Sequence, residues 1–450
     1  MVVSNWNTEA VLNMGTGTPI PERLLARLWQ KRAARRAALI TGSGSRVRVI
    51  YPGRPGRSAG PDFRNALLEV EGVGLVQGDV EIHPRQRDWE AHGHGQDPNY
   101  NGVVLHAVLQ VDSPLTSLQS GGRAQVVGLG PLLEGEDPPA APPAYPLWGL
   151  LGRLGYPRPG SAEELASLLD RAGDDRFLDK SACFGRFLGE QGPEQTLYEG
   201  LMEALGYRHN QAPFLKLAAR APYLAVRQAA GRLPLEARAG AIESWLLRLS
   251  GLSSPDPPAA DRGPDMPLPR SGFGPPLSRR EWHCFRVRPA NHPRRRIGGA
   301  ARLVARYLDG GLAEGLRQAA NAGARRGLIS ALTVVGVPGR EPAWIGAGRA
   351  RDLAVNVVLP FLHALDRRQG GPASGREHLA HYRRLGKLQE NELTREMAEQ
   401  LVEPRHSRGV VDTARRQQGL LHLHSLLSGG YSGPAWGLPW QAGGVLPRKD

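Results

Sequence analysis

The chain has little cysteine, few aromatic residues and no long hydrophobic segment. Its two cysteines, Cys183 and Cys284, are too few for a disulfide framework or for a zinc site built from cysteines. No run of about 18 consecutive apolar residues is present, so we expect no membrane-spanning helix and no membrane partner. The segment from Met1 to Met14 lacks a basic start followed by an apolar stretch, which predicts that no secretory signal is present. These absences predict a cytoplasmic protein.

The composition is typical of a globular protein with more than one domain. Of the 450 residues, 40% are hydrophobic and 22% are charged, which is sufficient for two or three domains with sizeable cores. The formal net charge is +14, and nearly all of the excess comes from arginine. Such a charge suits a polyanionic partner such as DNA or RNA. A GC-rich coding bias explains the arginine equally well, and the sequence leaves the oligomeric state open.

The hydrophobic pattern predicts two domains of different class. An α/β N-terminal domain, with a helix and a mixed central sheet, is followed by a mostly α-helical C-terminal domain. The predicted ranges are 18–127 for the first domain, 128–147 for a linker, 148–428 for the helical domain and 429–450 for an irregular tail. A loop rich in proline and glycine near 252–276 interrupts the helical domain.

The first domain is organised around a predicted β-hairpin. A helical pattern over 21–36 is followed by an alternating strand pattern over 46–51. Two further alternating runs between residues 63 and 83 are joined at 71–74 by residues typical of a tight turn. A fourth strand is predicted over 103–111, after a loop that is rich in histidine.

Acidic residues share one face of the second hairpin strand. Because side chains alternate along a strand, Asp79, Glu81 and His83 project together, while the residues between them face the core. Asp62, at the start of the partner strand, is expected to approach the same face. Converging carboxylates are the ligands that a hard divalent cation needs, and such a cation can promote phosphodiester hydrolysis. On spacing alone, a solvated outer face of the hairpin explains these residues at least as well.

This arrangement resembles the PD-(D/E)XK nuclease superfamily, which has Pro-Asp at the opening of its second strand and Glu-x-Lys on its third. Pro61-Asp62 and Glu81-Ile82-His83 stand in those places, and Glu22 stands where several members have an extra carboxylate. The resemblance implies that Asp62 and Glu81 bind Mg²⁺ or Mn²⁺, with help from the Ile82 carbonyl. His83 replaces the lysine that orients water in the superfamily. The histidine is either a base, an added ligand or a sign that catalysis has been lost.

Short motifs over nearly the whole chain also resemble a bacterial family classed as a domain of unknown function. The N-terminal motifs are Gly60-Pro61-Asp62-Phe63, Gly78-Asp79-Val80-Glu81-Ile82-His83, Asp88-Trp89, His92-Gly93-His94, Asp97-Pro98 and Leu105-His106. The C-terminal motifs are Ala204-Leu205-Gly206-Tyr207 with Asn210, Arg288-Pro289-Ala290-Asn291, Asn356 to Pro360, and Ala414-Arg415-Arg416-Gln417-Gln418-Gly419. This resemblance implies a shared fold and brings no established activity.

The histidine-rich loop has two interpretations. One is a Zn²⁺ or Mn²⁺ site. The residues available for it are His83, Asp88, His92, His94 and His106. The other is a structural loop, because paired histidines are common and Trp89 and Tyr100 are expected to tuck it against the sheet. We favour the second interpretation, with His83 and His106 lining the carboxylate pocket and His106 either facing Glu81 or serving as a satisfied core residue.

The helical domain contributes basic residues that are candidates for contact with phosphates. The densest group is Arg286, Arg288, Arg294, Arg295 and Arg296. Arg415 and Arg416 form a second pair, for which a solvated face with helix-end charges is the favoured explanation. Either group could instead be a solvated face.

Three functional hypotheses follow. The first is a metal-dependent nuclease with Asp62 and Glu81 as ligands, His83 assisting the water, and Glu22 and His106 in support. The second is a catalytically inactive nucleic-acid-binding or scaffold protein that keeps the fold. The third is a metal-dependent hydrolase of another substrate that uses the histidine cluster.

Overall fold

The computed structural model describes the chain from residue 20 to residue 427, except for 36–37, 57–59, 134–145, 254–267, 270, 286, 323–326, 337–341, 372–373 and 403–408. Arg286 and the predicted tail 429–450 therefore lie outside the described residues, as do most of the predicted linker and loop. The chain divides into two compact units. One is formed mainly by residues up to Gly160, and the other mainly by Ser161–Thr394.

The first unit contains the predicted mixed sheet. Its strands are β1 Leu39–Ile40, β2 Arg46–Tyr51, β3 Arg54–Pro55, β4 Phe63–Val70, β5 Gly74–Arg85, β6 Val103–Gln110, β7 Leu115–Ser117 and β8 Arg123–Gly128. Their order across the sheet is β1-β2-β4-β5-β6-β8-β7, and β3 pairs with β4. The β5–β6 and β6–β8 pairs are parallel, and the others are antiparallel. The α/β class predicted for this part of the chain is confirmed.

The predicted hairpin is formed by β4 and β5, and helix α1, Glu22–Arg32, packs on one face of the sheet. Val80 and Ile82 of β5 are completely buried and share a core with Leu25 and Trp29 of α1. The alternation of side chains along β5 therefore directs Glu81 and His83 to the opposite face.

That opposite face is covered as well. Between β5 and β6 the chain forms helix α2, Asp88–Ala91, and two short 3₁₀ turns, His94–Gln96 and Pro98–Tyr100. Trp89 and Tyr100 are buried against Val103 and Ala124 of the sheet, as predicted for this loop. Both faces of the central strand are thus shielded from water, and the expectation of a solvated acidic face is wrong.

Two further helices complete the main part of the first unit: α3 Gly130–Leu133 and α4 Pro146–Arg153. The helices that follow are α5 Ala162–Gln191, α6 Pro193–Leu205, α7 Tyr207–Arg220, α8 Tyr223–Ala230, α9 Leu235–Ser250, α10 Pro293–Arg306, α11 Leu312–Asn321, α12 Leu328–Leu332, α13 Ala347–Leu353, α14 Leu359–Gly370, α15 Arg376–Arg383, α16 Glu392–Leu401 and α17 Ala414–Leu427. A π-helical turn, Ala354–Val358, joins α13 to α14. The second part of the chain is mostly helical, as predicted, and none of the described helices is long and apolar enough to cross a membrane.

The sequence pattern predicts one helix over 377–401, but the structure has two, α15 and α16. Between them, the backbone N–H of Leu388 donates to the Gln417 side chain at 2.7 Å, and the same side chain donates to the Leu388 carbonyl at 3.2 Å. Gln417 therefore satisfies backbone groups that a continuous helix would pair internally. This contact joins residues that are far apart in sequence, so periodicity alone does not predict it.

Glycines allow α5 and α17 to approach each other closely. A Cβ atom on Gly173 would lie 2.2 Å from the Arg415 carbonyl oxygen, and a Cβ atom on Gly419 would lie 2.2 Å from the Leu169 carbonyl oxygen. The sequence pattern predicts a helix over 161–172, but α5 continues through Gly173 to Gln191. Gly173 stands inside α5 because it admits the neighbouring backbone.

We predict that Gly419→Ala lowers the free energy of unfolding by about 1–3 kcal/mol, the usual cost of overpacking. The obstacle is a backbone carbonyl, which cannot rotate away as a side chain can. Gly185→Ala in α5 is the matched control, since its Cβ would meet open space. The control should be neutral or should stabilise by about 0.5–1 kcal/mol through helix propensity. Urea denaturation measures both variants, and equal effects would contradict the packing explanation.

Candidate metal centre

Asp62 and Glu81 are fixed to each other's backbone across the hairpin. The N–H of Asp62 donates to Glu81 Oε2 at 2.8 Å, and the N–H of Ile82 donates to Asp62 Oδ2 at 3.1 Å. Each carboxylate therefore has one oxygen held by a backbone amide and one remaining oxygen. Strand pairing therefore brings together Asp62 and Glu81, as their places in the sequence motifs predict.

A β-bulge lies directly after Asp62. The pairing of β4 with β5 shifts between Phe63 and Ala66, and Asn65 adopts a left-handed conformation with φ 55°. The Asn65 N–H donates to Asp79 Oδ1 at 3.0 Å. Bulges commonly redirect side chains beside functional sites. Asp79 thus stabilises the bulge. The Asp62 and Glu81 carboxylates instead accept hydrogen bonds from backbone amides on each other's side of the hairpin.

The carboxylates raise one another's pKa. Burial is the largest cause of the raised pKa values of Asp62, Glu81 and Glu22. The charge of Glu22 raises the pKa of Asp62 further, and the charge of Asp62 does the same for Glu81. Since burial and like charges both disfavour ionisation, a cation among these groups would relieve the cost of keeping them charged.

A chain of hydrogen bonds extends from Glu81's neighbour His83 into the sheet. His83 Nδ1 lies 2.9 Å from His106 Nε2, and His106 Nδ1 lies 2.9 Å from Thr116 Oγ1. Both rings are completely buried. Burial lowers the pKa of His83 to about 3 and that of His106 to about 4, so both rings are neutral near pH 7. His106 pairs with Glu81 in the sheet register, yet both of its nitrogens are satisfied elsewhere.

The loop brings two more imidazoles to the same place. His83 Nε2 lies 3.1 Å from His92 Nδ1, and His94 Nε2 lies 3.3 Å from Glu81 Oε1. Gly93 between them has φ 74°, a left-handed conformation that favours glycine and reverses the chain. The His94 ring stacks on Tyr100, with ring centroids 3.9 Å apart.

The side chains that can share one ion form two overlapping groups. In each group, one donor atom of every residue lies within 4.8 Å of the others. The groups are His83, His92 and His94, and Glu22, Glu81 and His83. Neither Asp62 nor Asp88 belongs to these groups. The Asp88 carboxylate binds Arg85 through the backbone N–H at 3.1 Å and the guanidinium at 3.0 Å.

A model of the family described as Protein of unknown function (DUF2851) matches residues 22–131 and 161–322. The chain belongs to this family. The first matched segment of this DUF2851 protein contains all of the carboxylates and histidines described above. A search of curated proteins and a search of solved structures each found no match. These comparisons do not confirm the resemblance to PD-(D/E)XK nucleases.

In the basic segment of this DUF2851 protein, the arginines differ in how deeply they are buried. Arg288 is exposed and Arg294 is half-buried. Arg295 donates to the carbonyls of Pro342 and Ala343 and lies over the Trp344 ring. Part of the hydrogen-bonding capacity of its guanidinium is therefore used within the protein.

Arg296 does not suit the expected contact with phosphate, because it is only 6% exposed. Its guanidinium donates to the Tyr207 hydroxyl at 2.6 Å, to Asn291 Oδ1 at 2.7 Å and to the Trp344 carbonyl at 3.2 Å. Tyr207 and Asn291 belong to the motifs singled out above. Arg296 is therefore a structural residue that ties these motifs together.

Arg415 and Arg416 are also occupied within the protein. Arg415 binds Asp174, with N–O distances of 2.8 and 2.5 Å, and Arg416 binds Asp170 at 3.1 Å. These ion pairs give both arginines a structural role that the sequence pattern did not predict. A further group, Asp366, Glu377 and His378, has the spacing of a metal site. There His378 Nε2 already lies 2.8 Å from Asp366 Oδ2, and Arg317 approaches the same carboxylate at 4.0 Å.

Sequence reasoning missed Thr116, whose hydroxyl continues the hydrogen-bond chain from His106 to the Gln86 side chain. Thr116 lies on β7, a three-residue strand that pairs with β8. The available signal was Ser120-Gly121-Gly122, a turn sequence between two short alternating runs.

Proposed function

We propose that this protein hydrolyses phosphodiester bonds in DNA or RNA with the help of a divalent cation. The observation that carries the proposal is the pairing of Asp62 and Glu81. Their carboxylates are fixed by each other's strands, have raised pKa values and pair with no lysine or arginine among the described residues. Buried carboxylates without a cationic partner are costly unless they bind a metal or a proton.

The donor set fits Mg²⁺ or Mn²⁺. Asp62 and Glu81 each retain an oxygen that no backbone amide holds, and Glu22 supplies another carboxylate near Glu81 and His83. Hard divalent cations take such oxygen ligands. When bound, the cation would lower the pKa of a water molecule and stabilise charge on the phosphodiester.

The surrounding side chains have separable roles. His83 suits a ligand or positioning role better than that of a base, because its pKa is lowered to about 3 by burial and by neighbouring histidines. Glu22 has a supporting role as a third carboxylate, and burial raises its pKa. His106 and Thr116 fix the His83 ring. In the second unit, Arg288 is exposed and Arg294 and Arg295 are half-buried, so these arginines remain candidates for binding a nucleic acid.

A non-catalytic nucleic-acid-binding protein is the second candidate. It is favoured by His83, which stands where the resemblance places a catalytic lysine, and whose low pKa makes it a weak base. This candidate predicts binding of DNA or RNA without cleavage.

The test is cleavage of mixed single- and double-stranded DNA and RNA with Mg²⁺ or Mn²⁺. We predict cleavage that a chelator stops and that Asp62→Asn lowers about 10³-fold, as expected when about 4 kcal/mol of transition-state stabilisation is removed. Asp112→Asn is the control, because Asp112 is exposed at the end of β6. Cleavage that survives Asp62→Asn would refute the proposed site. Binding without cleavage by the wild type would favour the second candidate.

A further inference from the structure

We propose that Glu81, His83, His92 and His94 bind one transition-metal ion, with Zn²⁺ as the expected occupant. This site shares Glu81 with the oxygen site of Asp62 and Glu22 and differs from it in its histidine ligands. The inference goes beyond the proposed hydrolysis, since it concerns metal binding alone and holds whether or not the protein cleaves nucleic acid.

The distances between the donor atoms carry the inference. In a tetrahedral zinc site with bonds of about 2.0–2.1 Å, neighbouring ligand atoms are about 3.3–3.4 Å apart. Here Glu81 Oε1 lies 3.3 Å from His94 Nε2 and 3.8 Å from His83 Nε2. His83 Nε2 lies 3.1 Å from His92 Nδ1. Three of the six distances among these four donors are thus close to those of such a site, and the donor atoms of His83, His92 and His94 lie within 4.8 Å of one another.

The chemistry of the donors selects the class of metal. Three imidazoles and one carboxylate suit zinc and related transition metals, whereas Mg²⁺ prefers oxygen ligands and retained waters. Both cysteines lie elsewhere in the chain, at positions 183 and 284. A metal ligand must be unprotonated, and burial lowers the pKa of His83 and of His94.

Contacts with other side chains hold the His83 and His94 rings in fixed orientations. If His83 Nδ1 donates to His106 Nε2, and His106 Nδ1 donates to Thr116 Oγ1, then His83 Nε2 keeps its lone pair for a metal. We assign the protons in this direction from the hydrogen-bond network. A second shell that fixes the tautomer and the ring plane is characteristic of histidine ligands. Tyr100 fixes the plane of the His94 ring by stacking on it.

The site also has a route to solvent. Glu81 and His83 lie on the rigid strand and are buried, whereas His92 is exposed and His94 is partly exposed. An ion can therefore enter from the loop side. The exposed position of His92 also means that its replacement should leave the fold intact.

The test compares the full chain with His92→Ala and His94→Ala after removal of metal. Zn²⁺ binding is measured by competition with a chromogenic chelator, and Co²⁺ is added as a spectroscopic probe of four-coordinate geometry. We expect one Zn²⁺ per chain and a loss of affinity of at least about 100-fold in each variant, since even second-shell changes cost 10–100-fold. His283→Ala is the control, because His283 is an exposed histidine in the other unit. It should bind as the wild type does.

Two results would overturn the inference. One is the absence of stoichiometric Zn²⁺ binding in the wild type. The other is unchanged affinity in both loop variants while circular dichroism shows that they are folded. Cleavage is scored separately with Mg²⁺ or Mn²⁺. Zinc binding without cleavage supports this inference and refutes the proposed hydrolysis, and cleavage without zinc binding does the reverse.

Discussion

Replacing Glu81 with glutamine is expected to abolish both cleavage and zinc binding. Glu81 Oε2 is held by the Asp62 backbone N–H, so Oε1, which faces His94 and His83, is the donor that both ligand sets share. Asp62→Asn should differ, because Asp62 belongs only to the oxygen site. It should lose cleavage and retain zinc. The two variants together therefore separate the two metal sites.

Glu81→Gln should fold normally. The amide oxygen can still accept from the Asp62 N–H, and the amide nitrogen can face the histidines. Burial and the Asp62 charge raise the Glu81 pKa to about 9, so a neutral amide resembles the form of this side chain expected near pH 7 without metal. We expect the free energy of unfolding of the metal-free protein to change by no more than about 1 kcal/mol.

The measurements are cleavage rate, Zn²⁺ affinity and urea denaturation on Glu81→Gln. Glu69→Gln is the control, because Glu69 is exposed on the neighbouring strand and pairs only at the surface with Arg48. Cleavage should fall about 10³-fold or more in the first variant and stay unchanged in the second. Retained zinc affinity in a folded Glu81→Gln protein would show that the histidines do not need this carboxylate.

Replacing Asp174 with alanine is expected to give the largest loss of stability in the helical unit. Asp174 is 9% exposed and accepts from Arg383 and from Arg415. Its removal leaves the Arg383 guanidinium without its carboxylate and leaves Arg415 with only the longer contact to Asp170, at 3.5 Å. Breaking a buried ion pair costs about 3–5 kcal/mol. We expect about 3 kcal/mol here, because Arg383 is 45% exposed and can regain water.

Urea denaturation measures this effect, and Glu314→Gln is the control. Glu314 pairs with Arg317 on an exposed helix surface, where such pairs contribute about 0.2–1 kcal/mol. A similar small loss in both variants would mean that the contacts of Asp174 are no stronger than a surface pair. A loss confined to Asp174→Ala would support the structural assignment of Arg415.

Much of the first unit was predictable because its determinants are local. Alternation over β4 and β5, with a glycine turn between them, predicts the hairpin, and the hairpin brings Asp62 close to Glu81. The same alternation places Val80 and Ile82 in the core. These features depend on neighbours in sequence or on one tight turn.

The rest depends on contacts between distant residues. The burial of Glu81 and His83 results from the loop that folds over them, and the His83–His106 bond spans 23 residues. The pattern of a single strand predicts an acidic face, but it does not predict the loop that folds over this face. Arg296 looks like a surface residue in the sequence, yet Tyr207 and Asn291 draw it inside.

The most direct test is a crystal structure of the protein soaked with Zn²⁺ and, separately, with Mn²⁺, using anomalous scattering to locate the ions. We expect an anomalous peak within about 2.0–2.6 Å of a Glu81 carboxylate oxygen. The zinc peak should also contact His83, His92 and His94, and the manganese peak should also contact Asp62. An ordered site with no peak near Glu81, or peaks confined to Asp366 and His378, would contradict a metal centre in the first unit.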